Sequence, residues 1–160
     1  MKFYLGILCI LSSYAFSSEY NGNFDNDPLN LKWEASVNEV KEIYPDGLIW
    51  PNLGVPGSVS YSFSKSNNFF WLGIPVEDVK ISFSKNEKLK TIFLQFKYSE
   101  RDKVLKKSLE VFGAGNRTNE KQNLEKYSWV KSKGPNIWLS INNEHEFEWV
   151  YLAIDTASSN

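Results

Sequence analysis

The sequence predicts an α+β fold: two tandem helix-plus-three-strand units that form an antiparallel sheet, with the helices packed on one face. Three observations predict it. Short runs alternate apolar and polar residues, the period of a half-buried strand. Two stretches carry apolar residues at helical spacing behind capping residues. The pattern also recurs, since Ile81–Phe96 aligns with Leu139–Ile154 without a gap.

The first helix is entered through Ser36-Val37-Asn38-Glu39, a capping box in which Ser36 accepts from the Glu39 amide and Glu39 reaches back. Trp33, Val37, Val40 and Tyr44 share one helical face, and Pro45-Asp46-Gly47 stops the helix. Val59, Tyr61 and Phe63 then alternate with Ser58, Ser60, Ser62 and Ser64, the mark of a strand. Lys65 to Asn68 reads as a polar turn. Two further strands, Val79–Ser84 and Leu89–Lys97, meet at a tight turn around Asn86-Glu87-Lys88. The second helix starts at Ser99 with Asp102 three residues on, shows the apolar stripe Leu105, Leu109, Phe112 flanked by Val104 and Val111, and ends at Gly113. Gly115–Leu124 reads as a polar loop. Strands at Lys126–Lys131, Ile137–Asn142 and Phe147–Asp155 follow, and the tail after Ala157 reads as frayed.

The recurrence assigns faces. Ile81, Phe83, Ile92, Leu94 and Phe96 fall on Leu139, Ile141, Val150, Leu152 and Ile154, and these ten should face inward. The opposite face carries Lys80, Ser82, Phe93 and Gln95 in one unit, and Trp138, Ser140, Asn142, Trp149 and Tyr151 in the other. A turn at His145-Glu146 sets Trp149 opposite Asn142 and Tyr151 opposite Ser140, with Trp138 diagonal to Tyr151. Large aromatic residues on an outward face mark contact surfaces. Trp138, Trp149, Tyr151, Asn142 and Phe93 are therefore the candidate binding residues. The competing reading covers this face with the Trp50–Pro56 loop, the N-terminal lead-in or the neighbouring unit.

The chain start combines Lys2, the apolar run Phe3–Leu11 and the small, polar exit Ser12–Ser17, which is the pattern of a secretory signal peptide cleaved after Ser17. That run is much shorter than the roughly 20 apolar residues a spanning helix needs. The expected organisation is a signal peptide at 1–17, a flexible lead-in at 18–30 and one domain at 31–157, with pseudo-repeats at about 31–98 and 99–157. The implied location is periplasmic or secreted. Cys9, the single cysteine, sits inside the apolar run, so neither a lipid anchor nor a disulfide framework is expected.

A net charge of −1 offers no cationic excess to neutralise a phosphate backbone, which argues against nucleic acid. Catalytic chemistry is also thinly supplied. His145 is the single histidine and falls on a predicted turn among Glu144, Glu146 and Glu148, where no second histidine or cysteine completes a zinc site. No Gly-x-Ser-x-Gly elbow is present. Gly113-Ala114-Gly115 lacks the preceding strand and following Lys of a phosphate loop. The lead-in Asn/Asp residues lack calcium-loop spacing. No cofactor and no metal is expected. Paired carboxylates remain open, with Glu77-Asp78 adjacent and Asp155 ending an apolar strand.

The segments Leu31 to Val40, Val79 to Leu89, and Leu105 to Gly113 followed by Tyr127-Ser128-Trp129 are similar to small exported bacterial proteins built from tandem helix-plus-sheet units. In shape this resembles the β-lactamase inhibitor proteins and the small barrel-assembly lipoproteins. The resemblance spans roughly Leu31 to Asp155 and implies helices on one face of an antiparallel sheet, with an open opposite face used for protein contacts. The chain lacks the disulfides of the former and the lipid-bearing cysteine of the latter, so no residues carry over. The expected function is a non-catalytic protein-binding module, an inhibitor or immunity protein of a periplasmic or secreted enzyme. The alternatives are an envelope assembly factor held by sheet-edge pairing and a hydrolase using paired carboxylates.

Overall fold

A computed structural model of the chain describes residues 19–20, 29, 31–51, 57–64, 69–121, 123–130, 134–144 and 148–156. The expected signal peptide, the Lys65–Asn68 turn, His145 and the tail after Ala157 lie outside the described residues.

The element order is β1 (Glu19–Tyr20), α1 (Val37–Ile43), β2 (Leu48–Pro51), β3 (Val59–Ser64), β4 (Phe70–Trp71), β5 (Ile74–Pro75), β6 (Asp78–Phe83), β7 (Leu89–Phe96), α2 (Arg101–Phe112), β8 (Asn116–Lys121), β9 (Leu124–Trp129), β10 (Asn136–Asn142) and β11 (Trp149–Asp155). Eight strands make one sheet in the order β2-β3-β6-β7-β11-β10-β9-β8, and every pairing in it is antiparallel. A second, three-stranded sheet is ordered β1-β4-β5.

This corrects the expected fold class. The molecule is mostly β and is not a balanced α+β protein of tandem helix-plus-three-strand units. Helix α1 has 7 residues, and α2 has 12 behind a 3-10 turn at Tyr98–Glu100. Two short strands on the sheet rim account for most of the difference. β8 occupies the expected Gly115–Leu124 loop, and β2 lies between the Pro45-Asp46-Gly47 stop and the start of the expected Trp50–Pro56 loop, where no strand was expected. β2 is exposed throughout and β8 is exposed at Asn116, Arg117 and Thr118, so neither buries the single face whose alternating apolar pattern reveals a strand in sequence. The gap-free recurrence also fails in register. Ile81 is opposite Ile92 in the first hairpin, whereas Leu139 is opposite Leu152 rather than Val150 in the second.

Local signals fared better. The capping box is complete, with Ser36 Oγ accepting from the Glu39 amide and the Glu39 carboxylate accepting from Ser36 N–H at 2.7 Å. Those bonds hold the Glu39 carboxyl below its usual range. Ser99, however, sits within the 3-10 turn, and α2 starts behind Glu100 without a side-chain cap. The face that α2 buries is Val104 and Ser108, while Leu109 and Val111 are exposed.

All ten inward positions are buried. Successive strands align them into rows: Tyr61, Ile81, Ile92, Ile154, Ile137 and Trp129 form one, and Phe63, Val79, Leu94, Leu152, Leu139 and Tyr127 the next. The second layer packs here. Tyr44 behind α1 stacks on Phe63 at 4.1 Å, Trp71 of β4 meets Phe96 edge-on at 5.8 Å, and Phe112 of α2 tilts against Trp129 at 5.5 Å. The Tyr61 hydroxyl donates to the Tyr44 carbonyl and accepts from Gly47 N–H, tying the end of α1 to the sheet. Gly47 is required there, since a Cβ would run into the Tyr61 ring.

Candidate functional site

The face opposite this core is the candidate site. Its central row runs Leu48, Ser62, Lys80, Phe93, Ala153, Trp138, Ser128 and Asn116 across all eight strands. The adjacent row runs Asp78, Gln95, Tyr151, Ser140 and Lys126. Trp149 lies one step further along β11, opposite Asn142.

Side-chain size along these rows makes a cleft of about 330 Å³, lined by Lys80, Phe93, Ser140, Trp149, Tyr151 and Ala153. Ala153 and Ser140 are small and leave a floor. Phe93 rises on one side, and the Trp149 and Tyr151 rings, tilted against each other at 4.8 Å, rise on the other. The Tyr151 hydroxyl donates to Gln95 Oε1 at 2.9 Å, which fixes the ring across the β7–β11 seam. Partial burial pushes the Tyr151 hydroxyl pKa up, and the carboxylates of Asp78 and Glu77 push it the same way. The phenol therefore stays a neutral donor.

Lys80 is the cation at this cleft, and it makes no ion pair among the described residues. The neighbouring Asp78 carboxylate accepts from Ser62 Oγ at 3.1 Å. At the far end of the face, Thr91 Oγ1 donates to Asp155 Oδ1 at 3.2 Å. Burial raises the Asp155 carboxyl pKa, against the lowering effect of that bond.

The five candidates named from sequence share this face. Phe93, Trp149 and Tyr151 line the cleft together. Trp138 stands opposite Ala153, and Asn142 stands opposite Trp149, outside the lining. Asn142 Oδ1 accepts from Glu144 N–H at 3.2 Å and so shapes the turn that follows β10. The expected register, Asn142 with Trp149 and Ser140 with Tyr151, is the one observed. Sequence reasoning placed Lys80 and Ser140 on the face without assigning them to the site, and it passed over Ala153. The available signal was their place in the alternation: small residues between large ones on one face leave a hollow.

Among the described residues no cluster of three or more His, Cys, Asp or Glu side chains is placed to hold a metal ion. No helix among them is long and apolar enough to cross a membrane. Compared with known protein families, curated proteins and solved structures, the chain matches none.

Proposed function

We propose that this chain is an exported, non-catalytic protein-binding module that occludes its partner, as an inhibitor or immunity protein of a periplasmic or secreted enzyme would. The observation that carries the reading is the aromatic cleft on the outer face, with Phe93, Trp149 and Tyr151 around a small-residue floor and Lys80 at its side. Clustered aromatic residues beside polar groups are the composition of an interface centre. Tyr and Trp supply large contact area and keep a polar tip for orientation. The signal-like segment at 1–17 supports the compartment.

The test compares the chain with its Trp149→Ala, Tyr151→Ser variant, both immobilised and presented with extract from the compartment of origin. A partner retained by the parent and lost by the variant is the expected result, with unchanged circular dichroism showing that the fold persists. Equal retention by a folded variant would remove the cleft from the reading.

A further inference from the structure

We infer that the edge strand β2 pairs antiparallel with β2 of a second copy of this chain, around a two-fold axis through Ile49. The inference concerns the rim of the sheet and does not depend on what the cleft binds.

An open sheet edge presents unpaired N–H and C=O groups, and proteins guard such edges with charge, proline or twist. Among the described residues, the two edges of this sheet are β2 and β8, and they differ. β8 reads Asn116-Arg117-Thr118-Asn119-Glu120-Lys121, and Arg117 is bonded to Glu125 at 3.0 Å. β2 reads Leu48-Ile49-Trp50-Pro51 and carries no charge. Leu48 is 61%, Ile49 43% and Trp50 53% exposed, the only run of three successive exposed large apolar side chains among the described residues. Pro51 alone interrupts the edge.

The occupant follows from charge and register. A charged strand would find no complement along β2, whereas a strand as neutral and apolar as β2 itself would. Residues directly opposite each other in an antiparallel pair share a face. Pairing with β3 puts Leu48 and Trp50 on the outer face, with Ser62 and Ser60, and puts Ile49 on the inner face with Tyr61. With Ile49 on the axis, Ile49 meets Ile49, and Leu48 of each copy meets Trp50 of the other. A slip of one residue sets inner against outer residues and is excluded. A two-fold centred on Leu48 would set Trp50 against Asp46, and one centred on Trp50 would set Ile49 against Pro51. Only the Ile49 register matches all three apolar side chains with one another. A four-residue strand is a small contact, so the association is weak and transient.

Cross-linking in a Cys9→Ser background tests the register directly. Opposed residues in an antiparallel pair have Cα atoms about 4.5–5.5 Å apart, within the roughly 4.4–6.8 Å range of a disulfide. Ile49→Cys should give a disulfide-linked dimer under mild oxidation. Leu48→Cys and Trp50→Cys should each stay unlinked alone and should link when mixed. Sedimentation equilibrium of the parent chain should show reversible dimer formation at high concentration, weakened at least tenfold by Ile49→Lys at unchanged circular dichroism. The inference is overturned if Ile49→Cys stays monomeric or if the three cysteine variants link alike. It is equally overturned if the parent is monomeric at every concentration, including the case in which β2 instead takes up a strand from a different protein.

Discussion

The same eight strands build two faces that solve opposite problems. Facing inward, the row Ile81, Ile92, Ile154 and Ile137 is closed to solvent over its whole length. Facing outward, Lys80, Phe93, Ala153 and Trp138 occupy neighbouring strands with side chains of very different size. Uniform bulk fills an interior to close packing. Uneven bulk on an open face leaves a hollow instead. One alternating pattern thus yields both a core and a cleft, and the difference lies in whether side-chain size is held constant along a row.

Substitutions on the two faces should separate in magnitude. The largest effect belongs to Leu94→Ala, which empties a fully buried position opposite Val79 and Leu152. We expect a loss of about 2–5 kcal/mol in urea unfolding. A loss well below that range would mean that the inner row can collapse around a void. Next comes Tyr61→Phe, which removes the hydroxyl's bonds to the Gly47 N–H and the Tyr44 carbonyl, leaves those two groups only their long 3.5 Å bond to each other, and should cost about 1–2 kcal/mol. On the outer face, Trp149→Ala should cost only about 1 kcal/mol of stability, because it removes one half-buried ring from the pair with Tyr151. Partner binding should fall at least tenfold in the same variant. Comparable losses of stability from Leu94→Ala and Trp149→Ala would erase the distinction between the faces.

Alkaline titration offers a smaller and more selective probe of the inner face. Burial pushes the Tyr44 hydroxyl up to about 12 from its ordinary 10.0, and that hydroxyl donates to the Leu29 carbonyl at 2.7 Å. Between those values the folded chain keeps a proton that the unfolded chain releases, so the stability from this group is full below pH 10 and declines as pH climbs toward about 12. Tyr44→Phe should flatten this part of the stability profile while lowering its neutral-pH value through the lost bond. Equal slopes in the two proteins would place another group behind the alkaline loss.

These contrasts explain what was legible in the sequence. Alternation is a local signal, so the ten inward residues and the pairing of Asn142 with Trp149 could be read directly. The capping box at Ser36 is equally local and equally legible. Fold class is not local. Two genuine helix signals predict two equal helix-plus-three-strand units, while α1 stays short and the sheet gains a strand at each rim. β8 is polar throughout and β4 and β5 are two residues each, so none of them presents a period long enough to recognise. For the site, aromatic residues advertised themselves. Ala153 did not, because a hollow is defined by the residue that fails to fill it.

The antiparallel continuity of the large sheet has a geometric consequence for a dimer joined at β2. A two-fold axis perpendicular to the strands keeps the outer surfaces of both copies on one continuous side. The two clefts, centred on the β7–β11 seam, would then lie about eight strand steps apart. Each step turns the sheet by roughly 20°, so the accumulated rotation approaches a half-turn. The clefts would open in nearly opposite directions, some 40 Å apart at about 4.8 Å per strand. Such a pair could not clamp a single flat target; it would bridge two targets and tether them back to back.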